Sequence, residues 1–266
     1  DPPEDLEAIV SGGLSQAHVF GDMSVADDGS VYVFWLDTRE MNEKDKLASV
    51  YLRASHDNGA SFADEQRLYL ADACPCCQVT TVTGNDDEVY VASRRVNADN
   101  IRMPVVSVSR DGGASFAARV AVSGKPWQLD GCPLKPTALA VDGDYFYTLV
   151  HNGAIEPAGL LFSRSADAAE SFEPAMVVHP DAIVSDFPVL VSHGDRLSAI
   201  WHAKTDGPRR LFMRTSTDHG ESFGAVREID TPPGASAYPS AAALPKGDLV
   251  VVWQQDEQIL ATRVKP

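Results

Sequence analysis

The pattern Ser-x-Asp-x-Gly-x-Ser-Phe returns four times in this chain at nearly constant spacing. It reads Ser55-His-Asp57-Asn-Gly59-Ala-Ser61-Phe62 and Ser109-Arg-Asp111-Gly-Gly113-Ala-Ser115-Phe116, and the fourth copy is Ser216-Thr-Asp218-His-Gly220-Glu-Ser222-Phe223. The third is degenerate, Ser165-Ala-Asp167-Ala-Ala169-Glu-Ser171-Phe172, with alanine where the others carry glycine. Successive copies start 54, 56 and 51 residues apart. A period of that size marks a repeat architecture and restricts the fold before any single element is considered.

Each copy lies between two β-like runs. Leu47–Ala54 and Gln66–Leu70 flank the first, and Arg210–Thr215 and Ala225–Ile229 flank the fourth. A Ser-, Asp- and Gly-rich turn between such runs reads as a hairpin. The aspartate accepts turn N–H groups, the glycine supplies a positive φ, and the phenylalanine plugs the hairpin into the layer beneath. Ala169 therefore predicts a strained or differently shaped third turn.

Two further strand-like runs precede each copy. They are Met23–Ala26 with Val31–Trp35, Val79–Val82 with Glu88–Ser93, Thr137–Val141 with Tyr145–Val150, and Pro188–Val191 with Arg196–Trp201. A fifth pair, Ala241–Leu244 and Leu249–Trp253, is followed by Ile259–Val264 and no further turn motif. The run Leu6–Val10 supplies the missing outer strand.

The repeated turn resembles the Asp-box, or BNR repeat, of sialidases and other secreted β-propellers. A Cys-Pro-Cys-Cys run followed by Gly-Cys-Pro, here Cys74–Cys77 and Gly131–Pro133, marks a similarity to an exported bacterial subgroup of sialidase-like proteins. The resemblance implies an all-β propeller of four-stranded blades, and the five strand sets over 266 residues make it five-bladed, with the N-terminal strand closing the last blade. The expected organisation is one domain over 1–266: blade 1 about 17–70, blade 2 about 74–123, blade 3 about 132–178, blade 4 about 184–230, and blade 5 about 237–266 plus 6–10. Six blades would leave about 44 residues each, too few for the period. The boxes themselves are read as structural.

Charge and composition limit the partners. A net charge of −16 argues against nucleic acid and anionic lipid. No run of 18 apolar residues suggests a membrane span. The opening Asp1-Pro-Pro carries no visible signal peptide and reads as a mature or trimmed start, and a periplasmic or secreted location is expected.

In a propeller blade the starts of first strands and the ends of second strands open on the face away from the boxes. At first-strand starts stand His18, Cys74-Pro-Cys76-Cys77, Cys132, Asp186 and Tyr238; at second-strand ends stand Asp37 with Arg39, Arg94 with Arg95, His151, His202 and Gln254. His18, Cys76 and Cys132 each precede an aromatic (Tyr32, Tyr90, Phe146) by 14 residues, so they occupy equivalent places in consecutive repeats.

Two readings of the cysteines stay open, and they can coexist. One is disulfide stapling, with a Cys74–Cys132 bridge leaving Cys76 and Cys77 as a vicinal pair or free thiols. The other is a soft-metal site for Cu(I), built from Cys74, Cys76 or Cys77 with Cys132, His18 and Met23; zinc suits the cramped spacing less well. On the metal reading the protein is a carrier or chaperone for an exported metalloenzyme. The contrasting reading is a glycan-binding or glycan-cleaving sialidase relative. Its candidates are Arg39, Arg94 and Arg95 for a carboxylate grip, Asp37 or Asp186 as acid, and Tyr238 as nucleophile. The family's Arg-Ile-Pro run is missing, and adjacent Arg94 and Arg95 should point to opposite faces of a strand. A third reading is a protein-interaction scaffold. Trp35, Trp201 and Trp253 read as packing between blades, Trp127 as a lid over the channel mouth, and His56 and His219 as residues of the box turns.

Overall fold

The structure is a computed structural model describing residues 18–122, 124–154 and 158–266. The proposed closing strand Leu6–Val10 lies outside the described residues. The described chain is β-strand and loop, with one short 3-10 turn at Ala98–Asn100. It forms two compact units: the described residues up to Arg119 together with Leu129–Leu134, and Val120–Gln128 together with Lys135–Pro266.

In the first unit β1 (His18–Val25), β2 (Val31–Asp37), β3 (Ala48–Ser55) and β4 (Gln66–Ala73) form an antiparallel meander. A second meander contains β5 (Thr80–Thr83), β6 (Val89–Val96) and β7 (Ile101–Ser109), joined to β4 by the pair Ala73↔Arg95. Aromatic and β-branched residues on alternate positions suit a half-buried pleat. Tyr32, Phe34, Leu36, Val50, Leu52, Val89 and Val91 pack into one cluster.

The second unit begins with β8 (Val120–Ala121) and β9 (Trp127–Gln128), followed by three meanders. These are β10 (Thr137–Asp142) to β13 (Met176–Val177) through β11 (Tyr145–Asn152) and β12 (Gly159–Ser165); β14 (Val184–His193) to β17 (Arg227–Glu228) through β15 (Arg196–Lys204) and β16 (Arg210–Ser216); and β18 (Ser236–Ala243), β19 (Leu249–Gln255) and β20 (Gln258–Val264). Trp201 is fully buried beside Tyr147, Leu149 and Leu197. Trp253 packs with Ile200, Leu211, Met213 and Val251.

The first strands start earlier than their sequence suggests. β14 begins at Val184 rather than Pro188, and β18 at Ser236 rather than Ala241. A bulge explains both: the register shifts between Asp186 and Val189 and between Ala237 and Ser240, and Phe187 and Tyr238 take φ of 46° and 53°. The extra residues of the bulge let Pro188 and Pro239 sit inside a strand that would otherwise end there. β1 bulges likewise between Val19 and Asp22, with Phe20 at φ 52°.

All four repeated turns share one hydrogen-bond set. The Asp Oδ1 accepts the N–H of the second serine at 2.8, 2.8, 2.9 and 3.0 Å in chain order. The first serine donates its hydroxyl to the same carboxylate, and the N–H of Gly59, Gly113, Ala169 or Gly220 reaches that serine's Oγ at 2.9 Å. The aspartates are held at about 2, because donors from these serines outweigh the small cost of burial. The third turn keeps the shape of the others, and its alanine accepts the strain. Ala169 has φ 64° and Ala168 φ 53°.

That strain is measurable. Ala169→Gly should stabilise the protein by about 0.5–1 kcal/mol in denaturant unfolding, since the left-handed penalty of a residue with a Cβ exceeds the entropy glycine costs. Gly220→Ala should destabilise, because its Cβ would lie 2.8 Å from the Phe162 ring at φ 78°. A neutral or destabilising Ala169→Gly would contradict this account of the turn.

Candidate functional site

Strand register separates the two ends of each sheet. Ser165 and Ser216, which open the third and fourth turns, pair with Phe146 and Leu197 near the starts of β11 and β15. His151 and His202 lie near the opposite ends of those strands. The candidate residues gather at these opposite ends, in three clusters.

The first cluster is a closed knot around Asp37. The carboxylate is fully buried and accepts from Trp35 Nε1 at 3.0 Å, from Arg39 N at 2.8 Å, and from Arg39 Nε and an Arg39 terminal nitrogen at 2.9 and 2.6 Å. His18 Nδ1 lies 3.0 Å from the same carboxylate. Burial alone would raise the Asp37 carboxyl, but the Arg39 and Trp35 donors prevail and hold it at about 2. Arg39 also pairs with Glu65 at 2.8 Å and lies over Tyr51. The Arg39 pair thus keeps the Asp37 carboxylate ionised within the knot. A matching pair occurs in the last meander, where Trp253 Nε1 donates to Gln255 and Gln255 accepts from Ser236. His18↔Asp37 and Ser236↔Gln255 are equivalent cross-strand pairs.

The three candidate arginines take separate environments. Arg39 serves Asp37, and Arg94 is buried in β6. Arg95 is half-exposed and lies 3.3 Å from Asp72, which also binds Arg119. His18 borders a cleft of about 490 Å³ with Phe20, Asp22, Met23 and Trp35. Asp22, which sequence reasoning passed over, is raised by burial against N–H donors from Thr81 and Met23.

The second cluster is the cysteine turn. Cys77 N donates to Cys74 O at 3.3 Å, closing a β-turn with Pro75 at its second position, where proline's fixed φ belongs. The turn brings three sulfurs within 4.8 Å of one another. Cys76 forms a disulfide with Cys132, with Cα atoms 6.1 Å apart. The bridge therefore starts from Cys76 rather than Cys74. Cys74 and Cys77 are buried outside that bridge, their sulfurs 3.2 Å apart. The buried Arg102, another residue the sequence did not single out, donates to Cys74 Sγ at 3.1 Å and to Leu129 O at 3.2 Å. The hydrogen bond with Cys77, then burial, push the Cys74 thiol well above its ordinary range; Arg102 opposes them. His18 is not part of the three-sulfur group.

The third cluster lies in the second unit. Asp186 and His202 are cross-strand partners on β14 and β15. Lys135 pairs with Asp186, which also accepts from Phe187 N at 3.0 Å. Tyr238 N donates to His202 Nδ1 at 3.1 Å, which fixes the imidazole as the Nε2–H tautomer. Nε2 is buried with no hydrogen-bond partner among the described residues. Burial lowers His202 to about 4, so it is neutral at pH 7. The rings of Phe187 and Tyr238 flank it with centroids 5.2 and 5.7 Å away, and Tyr238 is 53 % exposed. Nearby, His151 Nδ1 faces Ser185 O at 3.4 Å, and Trp127 is buried edge-on to His151 and against Gly153. The indole is thus a packed wall.

No family model matches the chain, and no curated protein matches it in sequence. Solved structures do match in fold. The Hadza microbial sialidase Hz136 is 12 % identical with a TM-score of 0.63, covering 94 % of this chain and 53 % of its own, so the chain spans about half that sialidase's length. An α-L-arabinanase of Penicillium chrysogenum, solved with arabinobiose, is 12 % identical (TM-score 0.65, covering 92 % and 77 %). The α-L-arabinofuranosidase Arb93A of Fusarium graminearum, solved with an iminosugar inhibitor, is 14 % identical (TM-score 0.65, with the same coverage). At such identities the likeness is one of fold: an all-β arrangement of antiparallel meanders of the propeller type seen in these glycosidases.

Proposed function

We propose that the chain is a five-bladed propeller with Asp-box turns, working outside the cytoplasm in the periplasm or as a secreted protein, and that it takes a carbohydrate ligand at the strand ends of the second unit. The observation that carries this reading is the cluster of Tyr238, Phe187, His202 and the Lys135–Asp186 pair. Sugars are recognised by aromatic faces against their C–H surfaces and by a few fixed polar groups for their hydroxyls. Tyr238 supplies an exposed ring, Phe187 buttresses it edge-on at 4.6 Å, and Lys135 and Asp186 supply charge beneath. The glycosidase folds of the sialidase and the arabinanase support the same class of ligand. Asp186 is held by Lys135, and the reading is of carbohydrate recognition. The Cys76–Cys132 bridge suits an oxidising compartment.

Calorimetry with arabinobiose and with sialylated oligosaccharides tests the reading. The protein should bind one class, and Tyr238→Ala should weaken binding about tenfold or more, equivalent to about 1.4 kcal/mol, without lowering Tm. No binding to either class, or binding indifferent to Tyr238→Ala, would overturn it.

A second reading rests on a separate observation, the three sulfurs of Cys74, Cys76 and Cys77 within 4.8 Å of one another, with those of Cys74 and Cys77 3.2 Å apart. A buried dithiol is a soft donor set suited to Cu(I), with zinc a poorer match, and a protein so loaded would serve an exported metalloenzyme as carrier or chaperone. Cu(I) titration against a competing chelator should give one tightly held ion per chain, lost in Cys77→Ser. Uptake unchanged in Cys77→Ser, or no uptake, would eliminate it.

A further inference from the structure

The cluster at Asp186, His202 and Tyr238 holds its charges in balance. Lys135 pairs with Asp186, one cation against one anion. The lysine side chain is 18 % exposed and the carboxylate 6 %, so water screens this pair less than it screens a surface pair. His202 adds a ring but no charge, since burial lowers it to about 4 and leaves it neutral at pH 7. The charge of Arg209 also reaches His202, but Arg209 lies exposed, where salt weakens its field. The chain as a whole carries −16, so no long-range attraction compensates for a missing local cation.

The hydrogen-bonding capacity of the cluster is mixed. Asp186 Oδ2 accepts from Lys135, and Oδ1 accepts from Phe187 N. An ionised carboxylate has about four lone-pair sites, so about two of them remain for further donors. His202 offers the opposite role. Its Nδ1 is occupied by Tyr238 N, which leaves an Nε2–H with no acceptor among the described residues. A hydroxyl group can satisfy both, because it donates and accepts. A ligand carboxylate only accepts at neutral pH, and it would face the charge of Asp186.

We infer that this site selects uncharged glycans, whose hydroxyls donate to Asp186 and accept from His202, and that it discriminates against sugars bearing a carboxylate. The inference rests on the carbohydrate reading of the same cluster and narrows it to one class of sugar. Asp186 is then the residue that sets specificity. It accepts from the neutral ligand, repels the acidic one, and holds the lysine that an acidic sugar would need. The aromatic rings of Tyr238 and Phe187 contribute to affinity for either class and do not distinguish them.

Calorimetry with arabinobiose and with sialyllactose, at neutral pH and one fixed salt concentration, tests the inference. The wild-type chain should bind arabinobiose about tenfold or more tightly than sialyllactose. Asp186→Asn retains an oxygen for Phe187 N and removes the anion that Lys135 holds. This variant should weaken arabinobiose and strengthen sialyllactose, so that the preference falls about tenfold or reverses. Sialyllactose bound as tightly as arabinobiose, or more tightly, by the wild-type chain would overturn the inference and leave the carbohydrate reading standing. A preference unchanged in Asp186→Asn, at an unchanged Tm, would overturn it too, since the discrimination would then not come from this carboxylate. If the wild-type chain binds neither sugar, the inference and the carbohydrate reading fall together.

Discussion

One carboxylate, placed in a five-residue turn and given every donor that turn can offer, sets the geometry of this chain. In each copy the aspartate takes both the N–H and the hydroxyl of the second serine and the hydroxyl of the first. These bonds are local, so each turn reaches its shape without help from distant strands. Once shaped, the turn fixes where the third strand stops, and with period-2 pleating it fixes which side chains of that strand face the core. The half-buried phenylalanine adds the tertiary link, Phe223 meeting Phe162 with centroids 4.8 Å apart. Because the boxes occupy one end of their sheets, the opposite ends are free to vary, and the chemically distinctive residues are found there.

Much of this was legible in the sequence, because the turn motif is local and its period survives divergence. The third turn shows the limit. Ala169 predicts strain or a changed shape, and the outcome is strain with an unchanged shape: one φ penalty of about 1–2 kcal/mol is smaller than the loss of a whole hydrogen-bond set. The bulges at Phe187 and Tyr238 were hidden because Pro188 and Pro239 read as strand breaks, and only a bulge lets them pass.

The site was legible by position and not by partnership. Spacing placed His18, Asp37, Asp186, His202, Tyr238 and the cysteines at the correct strand ends. It did not reveal that Arg39 and Trp35 close Asp37 into a knot, since that depends on a loop turning back through Arg39 N. Nor did it select Cys76 over Cys74 as partner of Cys132; that choice depends on which side chain of a four-residue turn faces outward. Arg102, Lys135 and Asp22 carried no signal at all. They are single polar residues whose importance comes from burial beside Cys74, Asp186 and Thr81.

The two units thus keep different chemistry at comparable strand ends. The first holds the Cys76–Cys132 disulfide, with Cys74 and Cys77 beside it, and the carboxylate knot of Asp37. The second holds a neutral histidine, a lysine–aspartate pair and an exposed tyrosine. The carbohydrate reading rests on the cluster of Tyr238, Phe187 and His202, and His202 reports on it directly. Its side-chain nitrogen signals can be followed by NMR as arabinobiose and sialylated oligosaccharides are added at neutral pH. The account predicts an Nε2–H tautomer in the free protein and a saturable shift of its signals with one of these sugars. Signals that stay unmoved at saturating concentrations of both would contradict it.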